Sequence, residues 1–159
     1  MKNKTITLWL TFLGGPLGLH RLYLNGHWDR YSALFCVPTL LGSYGIYRAR
    51  TLNLEDGWSW VLIPLLGFTV ALCAVMAIAY GLRDTEKWNQ RYNPASPADA
   101  TAGQTNWLTV AGLGITLLAG TTVLLASIAF SFQRYFEYGF DPTRALDTPS
   151  ATVSPAAKP

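Results

Sequence analysis

Residues 58–80 read WSWVLIPLLGFTVALCAVMAIAY, and this stretch decides the class of fold. It lies inside 57–82, a run of 26 residues without Asp, Glu, Lys, Arg or His. At about 1.5 Å per residue, such a helix crosses a hydrocarbon core about 30 Å thick. Trp58, Trp60 and Tyr80 stand at its ends, where amphipathic rings favour the headgroup level. A second long segment runs from Trp107 through Phe130. Beyond it, Phe132, Tyr135, Phe136 and Phe140 repeat at helical spacing, with Gln133, Arg134 and Glu137 on the other face. The helix is therefore expected to continue along the interface until Gly139 and Asp141-Pro142 stop it.

Two shorter uncharged segments, 5–19 and 31–47, together with 57–82 and the run 100–133 that holds the second long segment, make 92 of 159 residues. They sit at or below normal spanning length, so they cross only by thinning the bilayer, snorkelling or leaning on neighbours. The composition agrees: 50% hydrophobic, 13% aromatic and only 13% charged, about half the charged share of a soluble domain. The sequence predicts an all-α membrane protein with four transmembrane helices, the first pair short and joined by a glycine-rich turn, plus an interfacial C-terminal helical extension. The expected divisions are a two-helix membrane domain over 2–50, a linker over 51–57, the third transmembrane helix over 58–82 and a flexible loop over 83–106. The fourth helix with its interfacial extension follows over 107–139, and a disordered tail over 140–159. Four crossings put both termini on one side. That side carries seven basic residues, Lys2, Lys4, Arg48, Arg50, Arg134, Arg144 and Lys158, against Arg21, Arg30, Arg83, Lys87 and Arg91. The positive-inside rule then makes the termini cytoplasmic. The short helices fit a bacterial inner membrane.

The amino-terminal segment carries the most particular pattern. Gly14-Gly15-Pro16 and Gly18 break helices in water and are tolerated at membrane depth only where neighbouring protein satisfies the freed backbone groups. A helix from about Thr5 to Leu13, a glycine turn at membrane depth and a short helical return carrying His20 to Leu24 are expected. Lys2 and Lys4 followed by nine apolar residues resemble a secretory signal, but no A-x-A cleavage site follows and His20-Arg21 come soon after. The segment is read as retained.

Phe12 to Arg30, FLGGPLGLHRLYLNGHWDR, resembles the signature of the TM-two domain family, small membrane domains of two helices whose hallmark is a glycine pair followed by His-Arg-Phe-Tyr-Leu-Gly. Gly14, Gly15, Gly18, His20, Arg21, Tyr23 and Leu24 match it, as does Gly45-Ile46 near the end of the second helix. Leu22 replaces the usual Phe, Asn25-Gly26 replaces the single glycine, and Arg48-Ala49-Arg50-Thr51 stands where the family has an Asp. The resemblance covers about Lys2 to Tyr47 and implies architecture rather than an activity. His20 and Arg21 are expected at the interface, where ionisable groups must be paired or snorkel. Asp29 is the acid nearest in sequence, so Arg21 or Arg30 is expected to pair with it, with Tyr23 and Trp28 in the headgroup belt. The candidate interaction or structural motif is therefore Gly14, Gly15, Gly18, His20, Arg21, Tyr23, Asp29 and Arg30, read as a clasp holding a short hairpin or as a docking site for a headgroup or partner.

In lipid, small residues decide helix packing. Gly67 and Ala71 on the third span, and Gly112, Thr116 and Gly120 on the fourth, mark either a seam within the chain or a homo-oligomer face. Pro38 and Pro64 are expected to kink their helices. Cys36 and Cys73 fall inside apolar segments at equal depth, too few for a disulfide framework or zinc site. No Ser/His/Asp or Cys/His set, paired carboxylates, metal-ligand cluster or phosphate loop is visible, so no catalytic residue, cofactor or metal is assigned and an enzyme is not expected. The net charge of +3 is scattered along the flanks of apolar segments, which argues against nucleic acid. What remains is a membrane scaffold that interacts with membrane lipid, another membrane protein or a second copy of itself. The alternative is an oligomeric channel or small transporter subunit, weakened by the absence of ionisable residues in the two long spans.

Overall fold

The computed structural model describes residues 1–27, 30–51 and 57–139, with the backbone alone at Tyr138 and Gly139. Trp28, Asp29, most of the 51–57 linker, Asp141-Pro142 and the 140–159 tail lie outside the described residues. Within them the regular elements are all helical: α1 (Lys4–Gly14), α2 (Leu19–Asn25), α3 (Arg30–Thr51), α4 (Ser59–Gly81), α5 (Thr85–Tyr92) and α6 (Trp107–Gly139). Short 3-10 turns fall at Gly15–Leu17 and Thr101–Gly103.

The long helix α4 is the axis of the bundle. Antiparallel α3 packs against it, with Gly45 facing Leu62 and Gly42 facing Leu66, each too close for a Cβ. On another side α6 descends, with Gly120 against Ala74 and Gly67 against Ser127. Gly112 meets Leu8 and Trp9 of α1 instead. Ala71 and Thr116 are buried as well. Gly67, Gly112 and Gly120 thus pack on seams inside the chain. A Cβ on Gly120 would already lie 2.5 Å from that of Ala74. Gly120→Leu is therefore expected to cost about 1–3 kcal/mol by overpacking, read as a lower melting temperature in detergent.

The first apolar segment does not run the length of the bundle. Helix α1 starts beside the end of α4, where the Lys4 ammonium donates to the carbonyl of Arg83. It descends antiparallel to α4 until Gly15 packs on Cys73. By the rise of a helix, that is about 12 Å below Gly81. The chain then turns and α2 climbs back, so that the Lys2 ammonium donates to the carbonyl of Leu24 at the end of α2. This hairpin enters and leaves at one end. The expected four end-to-end passages are therefore three, and the described chain begins at one end of the bundle and finishes α6 at the other. The second apolar segment is also not short, since α3 extends through Arg30, Arg48 and Arg50 to 22 residues.

The turn at depth is possible because α3 satisfies it. The Thr39 hydroxyl donates to the carbonyl of Pro16 at 2.7 Å, and the Cys36 thiol donates to that of Leu17 at 3.1 Å. Gly18 adopts φ 72°, and its amide donates to the carbonyl of Gly15. These are the carbonyls that a helix break would otherwise leave bare in an apolar setting. Cys36 and Cys73, expected at equal depth, flank opposite ends of this turn as free thiols.

The segment 83–106, expected to be a flexible loop, is instead a folded cap. Trp88 and Asn89 of α5 are fully buried, and Asn93 nearly so. The Asn89 amide donates to the carbonyls of Ala98 and Ala100, both at 2.9 Å, closing the loop on itself. A few well-placed amides and one Trp order a segment whose apolar content is low. The expected continuation of α6 is present, with one helix of 33 residues from Trp107 to Gly139. Pro38 and Pro64 both lie inside continuous helices.

Candidate functional site

The hairpin and the cap meet over residues 2–5. Asn3 caps α1, its side chain accepting from the amides of Thr5 and Ile6. Its own amide donates to the Tyr23 hydroxyl at 3.0 Å, so Tyr23, expected in the headgroup belt, ties the two arms of the hairpin together. The carbonyl of Lys2 accepts from the Trp88 indole at 2.9 Å and from the Asn93 amide group at 3.1 Å, while the Lys2 amide donates to Asn93 Oδ1. The buried Lys4 ammonium reaches the Thr105 hydroxyl at 2.7 Å as well as Arg83. Burial pulls its pKa below the ordinary lysine value, and the Asp84 carboxylate acts in the opposite sense.

An aromatic column runs through the same region. The His20 ring packs edge-on to Phe35 of α3 (5.6 Å) and against Tyr80 of α4 (6.2 Å). Tyr80 meets Trp88, and Trp88 meets Tyr92 at 4.5 Å. His20 is completely buried, and neither ring nitrogen has a hydrogen-bond partner among the described residues. It serves as a packing element on the return arm.

Beside this column a cleft of about 440 Å³ opens between α2, the end of α4 and the cap. Lys2, Arg21 and Arg91 line it together with Tyr80 and Tyr92, and its described lining holds no carboxylate. The Arg21 guanidinium also lies 4.7 Å from the centre of the Tyr31 ring, which holds it by a cation–π contact. Three cations thus converge on one concavity, at the end of the bundle where the aromatic and polar groups gather.

Of the residues singled out from the sequence, Gly14, Gly15, Gly18, His20, Arg21 and Tyr23 come together in the hairpin. Arg30 begins α3 and is exposed. The expected pairing with Asp29 lies outside the described residues. Sequence reasoning missed Lys2, Tyr80, Arg91 and Tyr92 as cleft residues. Lys2 reads as an ordinary basic flank and Tyr80 as a belt aromatic, while Arg91-Tyr92 fall where no hydrophobic period marks a helix. The Trp88-Asn89…Asn93 spacing is the one local signal of a cap. The chain matches no protein-family model, no curated protein and no solved structure.

Proposed function

We propose that the chain is an integral membrane protein with three crossings, α3, α4 and α6, and a re-entrant hairpin, α1–α2. It acts by binding rather than by catalysis and holds an anionic lipid headgroup in the cleft. Helix α4 and a stretch within Thr101–Glu137 are long and apolar enough to span, and only 39% and 17% of those windows are buried inside the protein. A soluble protein rarely leaves so much contiguous apolar surface bare. On α3, Leu34, Val37, Leu40 and Leu41 are likewise exposed. The resemblance to the TM-two family, carried by the hairpin residues, is consistent with a membrane setting.

With three crossings the basic residues regroup. Lys2, Lys4, Arg21, Arg30, Arg83, Lys87 and Arg91 share the cap end, against Arg48, Arg50 and Arg134 at the other, with Arg144 and Lys158 further along the chain. The positive-inside rule then places the N-terminus and cap in the cytoplasm of a bacterial cell and the C-terminus outside it. That orientation turns the cleft toward the leaflet whose surface potential is negative.

The observation that carries the functional reading is the convergence of the Lys2, Arg21 and Arg91 side chains on one concavity at the cap end. Native mass spectrometry of protein extracted in mild detergent tests it. The wild type is expected to retain an anionic phospholipid, and Arg91→Gln, at an exposed position, to lose it while melting normally. Equal retention by both proteins, or none by either, contradicts the proposal.

A further inference from the structure

Resting on the headgroup reading above, we propose that the site has two lobes joined at Arg91 and takes an anionic lipid whose headgroup carries two bridged phosphodiesters, as a diphosphatidylglycerol does. A second hollow, about 330 Å³, opens on the cap and is lined by Arg83, Lys87, Gln90 and Arg91. Arg91 is exposed and lines both this hollow and the cleft, so it forms the ridge between them. The second hollow follows from the helical period. Lys87 and Arg91 stand four residues apart on α5, and Arg83 four residues earlier, just before the helix begins. That spacing gathers basic side chains on one side, while Trp88 and Asn89 turn inward and are buried.

Charge balance then favours two phosphates over one. Three of the basic groups are engaged within the chain: the Lys2 ammonium with the Leu24 carbonyl, Arg21 with the Tyr31 ring, and Lys87 with Asp84 at 3.3 Å. Two phosphodiesters bring two negative charges, which Arg83 and Arg91 answer. A guanidinium also carries five N–H donors in one plane, enough for Arg91 to bond oxygens of two phosphates on different edges. Because Arg83 and Arg91 converge on one hollow, the two phosphates need only the short separation that a three-carbon glycerol bridge allows. The bridge makes the second contact intramolecular, so the pair binds more tightly than either phosphate alone. A lipid with a single phosphodiester fills one lobe and leaves the other empty.

The test uses the full chain in mild detergent, titrated with diphosphatidylglycerol or phosphatidylglycerol bearing the same oleoyl chains and read by native mass spectrometry. The wild type is expected to bind diphosphatidylglycerol at least about tenfold more tightly than phosphatidylglycerol. Arg83→Gln should bring the two lipids close to parity, and Arg83→Lys, which keeps the charge, should restore part of the difference. Gln90→Glu, at an exposed position of the same hollow, puts a carboxylate there and should abolish the preference even if Arg83→Gln melts early. A preference that survives both Arg83→Gln and Gln90→Glu comes from the extra acyl chains and overturns the second lobe. If the wild type binds both lipids equally and Arg91→Gln weakens both, the second lobe is overturned while the headgroup site stands. If neither lipid binds, both readings fall. If inorganic diphosphate displaces diphosphatidylglycerol at equal concentration, the ligand is a soluble diphosphate and the lipid assignment is overturned.

Discussion

Replacing Gly18 by valine removes most of the folded protein. Gly18 sits at φ 72°, a conformation that costs an L-residue about 1–2 kcal/mol and is a genuine outlier for a β-branched one. A Cβ there would also lie 2.9 Å from the carbonyl oxygen and 3.0 Å from the Cα of Ser32. Those are backbone atoms of α3, which is itself packed on α4 and bonded to the turn through Thr39 and Cys36. The helix cannot retreat without losing those contacts. Together the two effects exceed about 3 kcal/mol, the range reached only by a few named mechanisms. Gly26 provides the control within the same chain: its φ is 75°, but nothing lies within 4 Å of its Cβ position. Gly26→Val should therefore carry the conformational cost of a β-branched residue at positive φ, without the clash. Thermal unfolding of the two variants side by side separates conformation from packing, and equal melting temperatures would contradict the close approach of the turn to α3.

The second large effect is expected at Trp88. Its side chain is fully buried, packs edge-to-face with Tyr80 and at a tilt against Tyr92, and donates its indole N–H to the Lys2 carbonyl. Truncation to alanine should cost about 3–5 kcal/mol, as for other buried aromatics. Trp88→Phe keeps most of the packing and loses the hydrogen bond, worth about 1 kcal/mol. Because the Lys2 backbone is held between Trp88 and Asn93, the alanine variant should also release the N-terminal residues. Limited proteolysis would read this as early cleavage within residues 1–4. A variant that melts like the wild type would show that the cap contributes little, and that the hairpin stands without it.

Much of this architecture was legible in the sequence. Charge-free length located α4, and the periodic aromatics after Phe130 predicted the extension of α6, which is described as far as Gly139. The glycine turn was expected between helical arms at 5–13 and 20–24, and the arms run over 4–14 and 19–25. The number of passages was not legible. How deep a broken helix reaches is set by what it meets, here Gly15 against Cys73, a contact 58 residues away in the chain. The cap was equally hidden. Its order comes from hydrogen bonds between Asn93, Trp88 and Lys2, about 90 residues apart in sequence, and not from a hydrophobic period. The cleft inherits both omissions, since two of its three cations, Lys2 and Arg21, reach it only because the hairpin folds back, and the third, Arg91, lies on the cap.

The re-entrant hairpin is the claim on which the rest depends, and the sidedness of the two termini tests it most directly. With three crossings, a fluorescent protein fused before Met1 and an alkaline phosphatase fused after Pro159 should both be active in the same bacterial host, the first in the cytoplasm and the second outside it. If reporters at both termini are instead active on the same side of the membrane, the first segment crosses fully and the hairpin, with the cleft it helps to build, is wrong.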